Sequence, residues 1–243
     1  MSDGMKIAAM SMLNDMQKLT SISENIANAV TPGYKRTGTQ TLFSSMIPAL
    51  PSASTASLAP ILQTYTDMRP GALRYTASAL DVAIESSGFF ELNSAGQIYY
   101  TRQGNFTLDT QGRLVTQKGE IVNGVSGEIR LTSDTPSIDR QGRVFENEKQ
   151  IGQLKVVEFS HPEALVRASE GKYQVDNALE TTQIIPANDK SIVRQKYLEA
   201  SNVNATTEMV KMIEVMRHFE SGQKVIQMYD EMMDKAITKL GEF

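Results

Sequence analysis

Two amphipathic stripes at opposite ends of the chain constrain its fold more than any other feature. Near the N-terminus Met5, Ala8 or Ala9, Met12, Met16, Leu19, Ile22 or Ser23, Ile26 and Val30 recur at spacings of three and four, which is one face of an α-helix. Thr31-Pro32-Gly33 must end that helix, because proline disfavours α conformation in the residue before it and glycine turns readily. The spacing therefore predicts a helix over residues 5–30. At the other end Met209, Met212, Met216, Phe219, Ile226, Tyr229, Met233, Ile237 and Leu240 keep the same period, interrupted at Gly222 and Gln223, with Gly241 as a stop. Asn204 or Thr206 is placed to cap the start, and Glu208 lies where the helix dipole favours negative charge. A helix over residues 203–240 would be on the order of 55 Å long. A compact domain of this size cannot cover such a length alone, so part of the stripe needs a cover from outside the chain.

Between the helices the period changes. Residues 37–63 hold Pro48, Pro51 and Pro60 among many serines, threonines and alanines, and read as an extended or mobile connector. From about residue 71 to 195 short β-type runs at 89–92, 98–101, 106–108, 113–116, 153–159 and 172–175 alternate with Gly, Asn and Asp turn signals. Within them Leu108-Asp109-Thr110-Gln111-Gly112-Arg113-Leu114 parallels Ile138-Asp139-Arg140-Gln141-Gly142-Arg143-Val144. An aspartate that bonds the following backbone and a glycine at positive φ suit two similar hairpins. The fold class expected is α+β: terminal helices forming an antiparallel, coiled-coil-like core domain, an extended connector and an all-β middle. The boundaries are 1–36 for the N-terminal helix, 37–70 for the connector, 71–195 for the β domain and 196–243 for the C-terminal helix.

Composition narrows the chemistry. The 243 residues carry a formal charge of −4, which provides no broad basic field for nucleic acid or an anionic membrane. With no cysteine there is no disulfide framework, Cys-based zinc site or thiol nucleophile. The first residues lack the continuous apolar core of a signal peptide. His161 and His218 have no ligand partner at a metal-site spacing, and structural roles are expected of both. Asp109 and Asp139 could be imagined as paired carboxylates for hydrolysis, but their matching turn contexts already explain them. No nucleophile elbow or phosphate loop is present. No enzyme activity, cofactor, metal or small-molecule substrate is expected. Met209, Met212 and Met216, with Met232 and Met233, suit core packing, including a core between subunits.

Several blocks carry a resemblance. Asn25-Ile26-Ala27-Asn28-Ala29-Val30-Thr31-Pro32-Gly33-Tyr34-Lys35-Arg36 closely resembles the N-terminal signature of the flagellar rod and hook proteins, except that Glu24 stands where an asparagine is common. Gly71-Ala72-Leu73-Arg74-Tyr75-Thr76 and the following Tyr100-Thr101-Arg102-Gln103-Gly104-Asn105-Phe106 look like the start of that family's outer domain. Leu198-Glu199-Ala200-Ser201-Asn202-Val203-Asn204 resembles its C-terminal block. Residues 37–63 and 119–195 are poorly matched.

The resemblance implies a structural subunit of the flagellar basal-body rod. It implies export through the flagellar type III apparatus without a cleaved signal peptide, and assembly in the periplasm. The partners implied are copies of itself and other rod proteins in a helical assembly around the export channel. Assembly is then expected to rest on Asn25, Asn28, Thr31, Pro32, Gly33, Met209, Met212, Met216, Phe219 and Ile226. Met216-Arg217-His218-Phe219-Glu220 looks more like the proximal than the distal rod type. A distal rod subunit is the alternative within the family, and a secreted β module with a helical stalk is the alternative outside it.

Overall fold

The computed structural model describes residues 3–42, 61–169, 171–175, 184–186 and 192–240. The prolines at 48, 51 and 60 and the expected stop at Gly241 lie outside the described residues. The chain divides into two compact units. One comprises residues 1–27, 37–66 and 204–243, and the other residues 28–36 and 67–203.

The first unit holds α1 (Asp3–Ala27), the antiparallel ribbon of β1 (Thr37–Leu42) and β2 (Ile61–Thr66), and α2 (Ala205–Leu240). The helix expected over 5–30 stops at Ala27 because the backbone turns at once, the Thr31 N–H reaching the Asn28 carbonyl at 3.2 Å. The start of α2 is capped by Asn204, whose Oδ1 accepts the Thr207 N–H at 3.1 Å. The helices pack antiparallel: Asn25 bonds Glu208, Asp15 meets His218, and Met12 lies against Gly222. Residues 37–42 and 61–66, expected within an extended connector, are instead paired strands. Alternating threonines suit a ladder, and the Tyr65 ring covers Gly38 opposite it, where an added Cβ would come within 2.4 Å.

The second unit is β-rich. Its ten-stranded sheet runs in the order Leu165–Ser169, Lys172–Val175, Gln97–Thr101, Phe89–Ser94, Ile121–Gly124, Leu114–Thr116, Phe106–Leu108. Gly127–Glu128, Val156–Phe159 and Ile184–Pro186 pair beside that path. The main core gathers Val82, Ile84, Phe90, Leu92, Phe106, Leu114, Val122, Ile129, Val144, Leu154 and Val193. A second cluster, around Phe89, Tyr100, Phe159 and Tyr173, is built on edge-to-face rings.

The two parallel heptapeptides fold alike. Asp109 Oδ1 accepts the Gln111 and Arg113 N–H groups, both at 2.8 Å, and Gly112 takes φ +73°. Asp139 Oδ1 accepts those of Gln141 and Arg143, both at 2.9 Å, and Gly142 takes φ +74°. The Arg113 backbone N–H, aided by its guanidinium, holds the Asp109 carboxyl below the usual range. Both aspartates thus spend their acceptors on turn geometry.

Candidate assembly site

The residues expected to carry assembly fall into two places, one in each unit. In the first unit, the positions of α2 turned towards α1 are Glu208, Met212, Val215, Phe219, Gly222, Ile226 and Tyr229, which alternate steps of four and three. Met212, Phe219 and Ile226 are half-buried on this seam. Met209 and Met216, expected on the same stripe, are 51% and 47% exposed. Each lies one residue past a seam position, about 100° further round the helix. They join Val210 and Ile213 in an exposed apolar patch, while Val225, Met228 and Met232 form another further along α2. On α1, Ile7, Leu13 and Met16 are also exposed.

Polar groups are buried in the seam as well. Asn25 is fully buried; its Oδ1 accepts the Thr37 N–H at 2.9 Å, and its Nδ2 donates to the Thr37 carbonyl at 2.8 Å and to Glu208 Oε2 at 3.2 Å. Asn25 therefore ties α1 to β1 and to the first turn of α2 within one chain. Glu208 also takes a 3.0 Å bond from Lys211. Asp15, buried on α1, pairs with His218 and with Lys18.

In the second unit, Asn28, Thr31, Pro32 and Gly33 form a tight turn. The Thr31 hydroxyl donates to Asn28 Oδ1 at 3.1 Å, and Thr31, Pro32 and the exposed Val30 border a cleft of about 330 Å³. Gly33 takes φ +65° and donates its N–H to the Glu199 carbonyl at 2.7 Å. A Cβ there would lie 2.5 Å from the Arg102 carbonyl carbon, so only glycine fits.

Next to that turn lies a buried ionic centre. Lys35 and Glu199 are shielded from solvent, and Lys35 Nζ donates to Glu199 Oε1 at 2.5 Å and to the Arg69 carbonyl at 2.9 Å. Glu199 also accepts the Gly71 N–H at 2.9 Å and lies 3.3 Å from Arg102 Nη1. Burial pushes the pKa of both Lys35 and Arg102 down, and Glu199 opposes this. Arg167 stacks over the Tyr34 ring at 4.6 Å and donates to the Lys35 carbonyl. Asn202 accepts the Arg36 N–H at 2.7 Å and donates to the Asp67 carbonyl at 2.8 Å.

The sequence blocks around residues 31–36, 71, 102 and 198–202 thus converge on one point. Pattern reading marked the blocks but not the charges that join them, nor Asp15, nor the burial of Glu208, because it treats charged residues as exposed. The signal was the recurrence of Lys35, Arg102 and Glu199 in separate blocks of the resemblance.

The two histidines lie apart, His218 paired with Asp15 in the helical unit and His161 in the β-rich one. His161 contacts Glu163 at 3.3 Å on the surface, and among the described residues no three His, Cys, Asp or Glu side chains gather as metal ligands. No described helix is long and apolar enough to cross a membrane.

Comparison with known proteins meets the same blocks. Residues 83–146 match the family model described as flagellar hook protein FlgE/F/G D1 domain, and residues 194–239 match that described as flagellar basal body rod FlgEFG protein C-terminal. The chain is 34% identical over 240 residues to flagellar basal-body rod protein FlgG of Buchnera aphidicola subsp. Acyrthosiphon pisum (strain APS), covering 88% of this chain and 90% of that one. It is 30% identical over 253 residues to flagellar basal-body rod protein FlgF of Rhizobium meliloti (strain 1021), covering 99% of each. Against FlgF of Escherichia coli (strain K12) it is 32% identical over 226 residues, covering 88% of each. Since these matches run through both terminal helices and the β-rich unit between them, the chain belongs to the flagellar basal-body rod protein family, FlgF/FlgG.

Proposed function

We propose that this protein is a rod subunit of the proximal type, which polymerises with its own copies and with other rod proteins into the axial shaft around the export channel. As a member of this family it is a structural protein of the basal body and not an enzyme. The observation that carries the reading is the apolar surface left open on the helices. Met209, Val210, Ile213 and Met216 stand outside the seam, as do Val225, Met228 and Met232. Facing contacts place the start of α1 opposite about residue 231 of α2, since successive residues rise by about 1.5 Å on both helices. Met233 and Ile237 continue the seam beyond that point and are 49% and 66% exposed. Neighbouring subunits are the cover that these residues call for, in a coiled-coil-like helical core. Asn25 and the turn at Asn28, Thr31, Pro32 and Gly33 serve assembly by shaping each subunit, while Met209 and Met216 serve it by contact.

The reading of the proximal type, FlgF, rests on the block Met216-Arg217-His218-Phe219-Glu220, which looks more like the proximal than the distal rod type, and it is supported by FlgF of Rhizobium meliloti, which matches over 99% of both chains. Passage through the type III apparatus and a position across the periplasm complete the proposal. The test is Ile213→Asp combined with Met216→Asp. These should leave the purified chain folded, with unchanged helical circular dichroism, yet abolish rod completion in electron micrographs and motility on soft agar. Normal rods carrying both changes would refute an intersubunit role for this face.

A further inference from the structure

We propose that two polar contacts across the helix seam, Asn25 with Glu208 and Asp15 with His218, fix the register of α1 on α2. The apolar members of the seam discriminate poorly between registers. On α1 Met12 and Leu19 are half-buried and Ile22 is buried, on α2 Met212, Val215, Phe219 and Ile226 are half-buried, and flexible methionines repack readily against a partner shifted by seven residues. Such a slip displaces one helix by about 10.5 Å while leaving apolar groups opposite apolar groups.

The polar contacts do not tolerate it. The Asn25 amide is clamped at both its oxygen and its nitrogen by the backbone of Thr37, so it cannot follow a sliding helix. Its remaining N–H reaches Glu208, a carboxylate 1% exposed in the first turn of α2. A slip of seven would set Asn25 against Val215 in one direction, or carry it past the Asn204 cap in the other. Either way it separates Asn25 from Glu208. Ten residues nearer the N-terminus on α1, Asp15 is 2% exposed and meets His218, ten residues further along α2. Moving His218 away would leave that buried carboxylate with Lys18 of its own helix as its partner. The two contacts are thus a pair of pegs with equal spacing on both helices. Resting on the rod reading, one consequence follows: the register decides how far Met233 and Ile237 project past α1, and so where the next subunit is met.

The chain has no cysteine, so introduced pairs report on register without background. Met12→Cys with Gly222→Cys joins the native neighbours, a Cβ on Gly222 lying 3.1 Å from Met12 Cγ. Met12→Cys with Val215→Cys, or with Tyr229→Cys, joins positions one heptad off. In dilute full-length monomer under mild oxidation, only the native pair should form an intramolecular disulfide. Adding Asn25→Leu and Asp15→Leu should make the off-register disulfides form at rates comparable with the native one. Glu208→Gln, which keeps an acceptor for the Asn25 amide, should preserve the native preference. An exclusive native cross-link in the doubly substituted background would overturn the proposal. So would the loss of all three cross-links there, which would mean that the contacts hold the helices together instead of selecting a register, and so would off-register products in Glu208→Gln. Because the assay uses monomer, it is independent of whether rods assemble.

Discussion

Replacing Glu199 by glutamine should be among the most destabilising single changes in the β-rich unit. The site holds two cations, Lys35 and Arg102, around one carboxylate, with side-chain exposures of 0%, 6% and 1%. Glu199→Gln keeps the size and one acceptor oxygen for the Gly71 N–H but removes the carboxylate that both cations contact. Breaking a buried ion pair in this way costs about 3–5 kcal/mol. Lys35→Met works in the opposite direction: it leaves Arg102 and Glu199 as a single balanced pair, and the methionine fills the channel of the lysine stem. Its cost should stay near the about 1–3 kcal/mol of one lost buried hydrogen-bonding partner. Removing the anion should therefore hurt more than removing a cation. Urea unfolding followed by tyrosine fluorescence reads the difference, since the chain has no tryptophan and Tyr34, Tyr100 and Tyr173 are buried or nearly so in this unit. Should Glu199→Gln cost no more than Lys35→Met, the charge argument fails and the centre is held by packing alone.

Gly33→Ala combines a positive φ with a backbone clash, whereas Gly96→Ala at φ +85° meets nothing within 4 Å. The first should cost more than the about 1–3 kcal/mol of strain alone and lower the thermal midpoint further than the second, and equal midpoints would contradict it. Phe219→Ala on the half-buried seam should loosen α1 from α2, at less than the about 3–5 kcal/mol of a fully enclosed phenylalanine, seen as faster amide exchange in α1. Asp67 is held below its ordinary pKa of 3.8 chiefly by the Arg69 side chain. A depressed acid stabilises the fold above its unfolded pKa and loses that contribution as pH falls through its folded pKa. Asp67→Asn should therefore remove part of the stability lost by wild type on acidification below about pH 3.8, and unchanged acid curves would count against the pair.

Elements with a period or a turn chemistry of their own were legible in the sequence. The two hairpins follow from Asp109 and Gly112, and from Asp139 and Gly142, because the restriction is local to seven residues. The helices were placed within a few positions, but their inner and outer faces were not separated. A broad stripe of methionines looks the same whether Met212 or Met209 faces α1, and the choice is made by a partner about 200 residues away. The ribbon of β1 and β2 was hidden because its strands are polar and their pairing spans a serine- and proline-rich stretch. The ionic centre was hidden for another reason: Lys35, Arg102 and Glu199 are buried only because three distant blocks enclose them, and no local pattern marks a lysine as interior.

In the proposed rod, neighbouring subunits cover the open apolar face of α2. Ile213→Cys places a single thiol on that face, where the native side chain is 53% exposed. Its rate of reaction with a water-soluble maleimide can be measured in dilute monomer and in isolated basal bodies. Labelling should be rapid in the monomer and strongly suppressed in the rod. Equally rapid labelling in both would contradict that cover.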